Sequence, residues 1–130
     1  VILDTTFVID VLRGEAAAIR KLNELLAEGE APVIAAPTVF ELFSGLERLR
    51  KSAAERERIR RVLAQHAAWP LDERSAEAGG EVDGQLVARG LKIDPLDAMI
   101  AGIALTRHDA VLTRDVEHFR RVPGLHLETY

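Results

Sequence analysis

The chain has 130 residues, 48% of them hydrophobic, which suits one compact domain over residues 1–130 that can bury a core unaided. It has no cysteine, which excludes a disulfide framework, a thiolate nucleophile and a Cys-containing zinc site; no apolar run approaches the roughly 18 residues of a membrane span. A net charge of −4 argues against a simple basic coat for nucleic acid.

In chain order, Val1-Ile2-Leu3 reads as a short buried strand, not a signal peptide, so a cytoplasmic protein is expected. The strand ends on Asp4. Thr5 and Thr6 open a helix through Phe7, Val8, Ile9, Val11 and Leu12 to Gly14. Residues 15–28 form a second helix with Ile19, Leu22, Leu25 and Leu26 inward, stopped by Gly29. Residues 32–36, P-V-I-A-A, are the next strand, and Pro37 starts a helix that continues through Leu49.

Ser52 caps a charged helix that runs to about Gln65. Residues 45–63 hold seven of the 17 basic side chains against three acids, a local +4 that leaves −8 on the rest. Two readings compete there. Glu47 with Lys51 and Glu57 with Arg61 have the spacing of solvated i, i+4 pairs. Alternatively Arg48, Arg50, Lys51, Arg56, Arg58, Arg60 and Arg61 make a basic arm for phosphate, with Arg48, Lys51 and Arg58 as the candidate contacts.

Trp69-Pro70-Leu71 suggests a brief strand before a helix over 73–89. Gly79, Gly80 and Gly84 each cost that helix about 1 kcal/mol against Ala, so something should pack closely on it. Gly90 ends it. Asp94-Pro95 then starts a helix with Leu96, Met99, Ile100 and Ile103 on one stripe and Asp97, Ala101, Ala104 and His108 on the next. Small residues beside Asp97 would leave room for a metal or phosphate. Residues 109–113 are a buried strand, 115–121 a short helix and 125–130 a final strand. Alternating strands and helices predict a three-layer α/β/α sandwich around a mostly parallel sheet, with ligands beyond the strands' carboxyl ends. Asp4 and the turn from Thr113 to Asp115 lie at such ends.

Taken singly, the acids have ordinary readings. Asp4 and Asp115 can open helices, Asp97 suits a helix's first turn, and Asp10 and Asp94 belong to surface and capping. Glu41, past the first turn in V-F-E-L-F, is explained by neither cap nor dipole. Its stripe of Thr38, Glu41, Gly45 and Arg48 is either solvated or aimed at the rim, with Gly45 leaving space. Convergence of Asp4, Glu41, Asp97 and Asp115 explains all four together. Such carboxylates repel, so at least one stays protonated unless a hard cation joins them. Mg²⁺ or Mn²⁺ prefers oxygen ligands and activates water against a phosphodiester, which points to hydrolysis of nucleic acid. His66, His108, His118 and His126 lack zinc-site spacing and read as scattered surface or packing residues.

Four stretches in order, L-D-T-T-F-V-I-D-V-L-R-G, T-V-F-E-L-F-S-G-L, I-D-P-L-D-A-M-I-A-G-I-A-L and V-L-T-R-D-V-E-H-F, resemble the PIN-domain ribonucleases. More narrowly, the chain resembles the VapC toxins of type II toxin–antitoxin pairs along essentially its whole length. The resemblance implies catalytic, metal-holding acids at Asp4, Glu41, Asp97 and Asp115, with supporting hydroxyls at Thr5, Thr6 and Thr113. It also implies Mg²⁺ or Mn²⁺ dependence, an RNA substrate, a homodimer and a VapB-type antitoxin. Such an inhibitor would fold over the helices around Phe40, Phe43 and Leu46 and carry an Arg or Lys to Glu41 and Asp97. A receiver domain would need an acidic pair after its first strand and a late Lys, and a haloacid-dehalogenase phosphatase would need D-x-D where this chain has Asp4-Thr5-Thr6. A non-catalytic RNA-binding or regulatory module on the same fold and a DNA-directed nuclease remain as alternatives.

Overall fold

Short apolar runs with no polar alternation are suited to strands buried on both faces, and the first two candidates form such strands. The computed structural model describes residues 1–130. Its strands are β1 (Ile2–Leu3), β2 (Val33–Ala35), β3 (Ala68–Trp69), β4 (Val111–Leu112) and β5 (Leu127–Glu128). They lie in the order β3-β2-β1-β4-β5, and every neighbouring pair is parallel. The helices are α1 (Thr5–Leu12), α2 (Ala16–Ala27), α3 (Ala36–Arg48), α4 (Ala53–Ala64), α5 (Glu73–Ala88), α6 (Pro95–Arg107) and α7 (Val116–Phe119). None is long and apolar enough to cross a membrane.

Alternation along the strands feeds two cores. Leu3, Ile34 and Leu112 face one side and pack with Phe7, Val8, Leu25, Leu42 and Ile59 from α1 to α4. Ile2, Val33, Ala35 and Val111 face the other and pack with Ile100, Ile103 and Ala104 of α6 and Phe119 of α7. The predicted three layers are therefore present. The chain winds outward from β1 to β3, then returns to place β4 on the other side of β1. That reversal puts the carboxyl ends of β1 and β4 side by side, where a crevice opens in sheets of this kind.

Several expectations need correction. Leu26 is 52% exposed, because α2 turns only Ala18 and Leu25 fully inward. The small residues of α6 lie in the interior, not along an open face: Ala101, Gly102 and Ala104 are buried, while Leu96 and Met99 are only half-buried. Small side chains there let α5 approach the α6 backbone. The brief third strand sits one residue earlier than read, at Ala68–Trp69, and the fifth is confined to Leu127–Glu128.

The glycines of α5 and α6 divide accordingly. A Cβ built on Gly102 would lie 2.4 Å from the Ser75 carbonyl oxygen and 2.6 Å from the Gly79 nitrogen, backbone atoms that cannot swing aside. At Gly80 such a Cβ meets nothing within 4 Å. Gly102→Ala should destabilise the fold by about 1–3 kcal/mol through overpacking. Gly80→Ala should stabilise it by roughly 0.5–1 kcal/mol through helix propensity. Urea denaturation of the two variants beside the parent chain measures both signs.

Candidate active site

Asp4 leaves β1 in extended conformation, and its Oδ1 accepts from the Phe7 amide at 2.9 Å, so it does cap α1. The cap does not exhaust it. Thr113 Oγ1, at the end of β4, donates to Asp4 Oδ2 at 2.6 Å, and Thr6 Oγ1 adds contacts of 2.8 and 3.0 Å to the two oxygens. The Asp115 amide in turn donates to Thr113 Oγ1 at 2.8 Å. Asp115 precedes α7 without capping it, since its side chain bonds no amide there.

Glu41 reaches the same region from the second turn of α3. Thr5 Oγ1 donates to Glu41 Oε1 at 2.8 Å and lies 3.1 Å from the buried Thr38 hydroxyl. The glutamate is half-buried and faces the cleft, so the solvated-stripe reading is not the arrangement observed. Gly45 leaves open space one turn on, where a cavity of about 300 Å³ is lined by Glu41, Lys51, Arg58 and the apolar side chains of Leu42 and Leu46.

Asp97, the third residue of α6, completes the group. His118 Nδ1 on α7 lies 2.7 Å from Asp115 Oδ2 and 3.9 Å from Asp97 Oδ2. Asp97, Asp115 and His118 offer ligand atoms that all fall within 4.8 Å of one another. This corrects the reading of His118 as a scattered residue. Its i, i+3 spacing from Asp115 was the only sequence signal, and a carboxylate–imidazole pair needs no second histidine.

Crowding and burial act on the acids in one direction. Burial, followed by the charges of Glu41, Asp94, Asp115 and Asp4, pushes the Asp97 carboxyl up to about 7. Burial raises Asp4 too, and the bonds from Thr113, Phe7 and Thr6 offset part of it. Glu41 is raised by burial, partly countered by Thr5. Four acids from β1, α3, α6 and the β4–α7 turn are thus brought to one place, and Asp4, Glu41 and Asp97 among them are made reluctant to ionise.

Outside this group Asp94 is as read, and other charges differ from expectation. Asp94 is the exposed cap of α6, accepting from the Leu96 amide at 2.8 Å. Asp10, read as a surface residue, is 3% exposed and bonded to Arg114 and Tyr130, because it falls on the inner face of α1. The Glu47–Lys51 and Glu57–Arg61 pairs do not form. Glu47 instead pairs with Arg56, whose guanidinium lies 5.6 Å from the Phe43 ring centre, and Glu55 pairs with Arg58 at 3.2 Å. Arg58 also donates to the Leu12 carbonyl. Arg48, Arg50, Lys51, Arg60 and Arg61 stay exposed.

A five-stranded parallel sheet with acids gathered at its switch point defines a class. The family model of the PIN domain matches residues 1–125, and the chain belongs to that family. Within it the chain is VapC-like. Ribonuclease VapC19 of Mycobacterium tuberculosis is 32% identical over 125 residues, 95% of either chain. The tRNA(fMet)-specific endonuclease VapC of Shigella flexneri is 27% identical over 128 residues, covering 98% of this chain and 96% of its own. The crystal structure of DNA-bound VapBC from Salmonella typhimurium superposes with a TM-score of 0.82 at 28% identity, over 98% of this chain and 96% of that one.

A carboxyl whose folded pKa lies above its unfolded value binds more protons in the folded state between the two. Without added metal, stability should therefore fall as pH rises from about 4, the ordinary Asp value, to about 7, and stay reduced above. Asp97→Asn removes most of this cost. The variant should exceed the parent by on the order of 1–3 kcal/mol at pH 8 and match it near pH 4, in urea titrations with chelator present.

Proposed function

We propose that the protein is a divalent-cation-dependent endoribonuclease that acts in the cytoplasm as the toxin of a VapBC-type pair. The observation that carries this reading is the meeting of Asp4, Glu41, Asp97 and Asp115 beside the β1–β4 switch point. Relatives named ribonuclease and endonuclease support it from the other side. Because one of those relatives is specific for tRNA(fMet), tRNA is the first substrate to assay.

The residues present fit a hard cation. The donor set is mostly carboxylate oxygen, and burial with the charges of the neighbouring acids pushes Asp97 upward, a conflict that a divalent charge removes. Asp97 and Asp115 would hold the ion, with Asp4, Glu41 and His118 beside them. When bound, Mg²⁺ or Mn²⁺ neutralises charge on the phosphate and lowers the pKa of water in the cleft. The chain's own part is orientation. Thr6 and Thr113 fix the Asp4 carboxylate, Thr5 fixes Glu41, and His118 holds Asp115. Lys51 and Arg58, on the cavity wall shared with Glu41, and the exposed Arg48 would bind the RNA backbone.

Likeness to a VapBC structure supports a VapB-like antitoxin as partner; a homodimer follows from the family resemblance alone. The face available for an antitoxin carries Phe40, 63% exposed, and the half-buried Phe43, with Leu46 buried beneath. An Arg or Lys from that partner could reach Glu41 and Asp97, since a guanidinium suits a carboxylate cluster.

Cleavage of tRNA and of an RNA panel should require Mg²⁺ or Mn²⁺, stop with chelator and resume on adding the ion. Asp4→Asn and Asp97→Asn should each lower single-turnover cleavage at least ~100-fold, about 2.7 kcal/mol, on denaturing gels. Near-normal cleavage by a folded Asp97→Asn protein would overturn the reading. Neutralising Arg48, Lys51 and Arg58 together should weaken RNA binding and reduce the slope of log affinity against log salt by about 2.

A further inference from the structure

Asp10 is a buried carboxylate that the proposed chemistry does not use, and its partners lead back to the site. Arg114 stands between Thr113 and Asp115, and its Nη1 lies 2.9 Å from both oxygens of Asp10. The Tyr130 hydroxyl donates to Asp10 Oδ2 at 2.6 Å. The Tyr130 ring meets Phe7 edge-on, with centroids 4.8 Å apart, so this side chain is held against α1 by packing as well as by the bond. The Arg114 amide donates to Thr6 Oγ1 at 3.3 Å, the same hydroxyl that contacts Asp4. One residue of the β4–α7 turn is thus tied to α1 twice, by its backbone near the helix start and by its side chain further along.

We propose that Asp10, Arg114 and Tyr130 form a latch that holds the Thr113–Asp115 turn against α1, and that they are positioning residues for RNA cleavage. The claim rests on the endoribonuclease reading above. The turn's other ties sit at its two ends, Thr113 to Asp4 and to the Glu128 carbonyl, and Asp115 to His118. Asp115 does not cap α7, and α7 is a single turn of four residues. Thr113 Oγ1 can bridge Asp4 and the Asp115 amide only while the next residue keeps the turn closed. Asp10 is buried with its charge matched by Arg114, so loss of Arg114 leaves a buried carboxylate with only the Tyr130 hydroxyl as a side-chain partner and releases the loop. Arg114 itself is 57% exposed on its side chain, so the guanidinium adds little to the core.

The full chain is assayed for tRNA cleavage with Mg²⁺, at a temperature where circular dichroism shows each variant folded. Arg114→Gln should lower kcat ~10- to 100-fold with KM within twofold, as expected for displaced catalytic groups. Arg114→Lys, which restores the charge opposite Asp10, should recover most of that loss. Tyr130→Phe, which deletes one oxygen, should lower kcat by a smaller factor, roughly 3-fold or more, and decides the matter if Arg114→Gln does not fold. Mn²⁺ affinity, read by paramagnetic resonance, should weaken in step. An unchanged kcat in folded variants would overturn the proposal, as would a raised KM with unchanged kcat and a flatter salt dependence, which would make Arg114 a phosphate contact. If the parent chain cleaves no RNA, the endoribonuclease reading fails, and Mn²⁺ affinity alone then decides the latch: parent-like affinity in the variants overturns it.

Discussion

Thr113 Oγ1 donates to Asp4 Oδ2 across 2.6 Å, joining residues 109 positions apart in the chain. The bond exists because β1 and β4 run parallel as neighbours, with Leu3 paired to Leu112 and the Asp4 amide bonded to the Leu112 carbonyl. A one-residue slip would turn Thr113 to the opposite face and exchange the inward sets of both cores. Register of two short strands therefore decides whether the acidic site is assembled. The reversal of winding at β1 is what frees their carboxyl ends of a covering crossover.

The site stands under electrostatic tension, and its surroundings are arranged to bear it. Asp4 is 2% exposed, yet three hydrogen-bonding groups face its two oxygens. Asp97 has no hydroxyl of its own and is pushed up to about 7. A short distance along α1, Asp10 shows the contrasting solution, a buried carboxylate matched by a guanidinium and a phenol. The first arrangement leaves negative charge unmatched where a cation can enter. The second cancels it where none is needed.

Placement of Asp97 also depends on packing that lies away from the chemistry. It is the third residue of α6, and that helix is rigidly seated by the near contact of Gly102 with Ser75 and Gly79 on α5. A helix held so closely transmits a displacement at Gly102 to its first turn, because packed interiors yield little. The backbone bond from Ala98 to Asp94 and the Asp94 cap then set the first turn itself. Glu41 is held in a comparable way by Pro37 and Thr38, both buried at the start of α3.

Local patterns make much of this legible in the sequence alone. Proline at a helix start, Ser52 and Asp94 before apolar periodicity, and glycine at helix ends act within a few residues, so helices and strands fall close to where the sequence places them. The same patterns, in order, carried the resemblance that named the four acids. Tertiary structure decided what depends on partners distant in sequence. Ala101 and Ala104 suggest an open face on α6 but are buried, Ala101 in the cluster with Val82 and Leu86 of α5 and Ala104 in the cluster with the strands, since periodicity reports a face and not what covers it. Asp10 looked like surface because its partners, Arg114 and Tyr130, lie 104 and 120 residues further on. His118 joined the site for the same reason: the distance from its ring to Asp97 is set by how α7 and α6 meet, which no local spacing encodes.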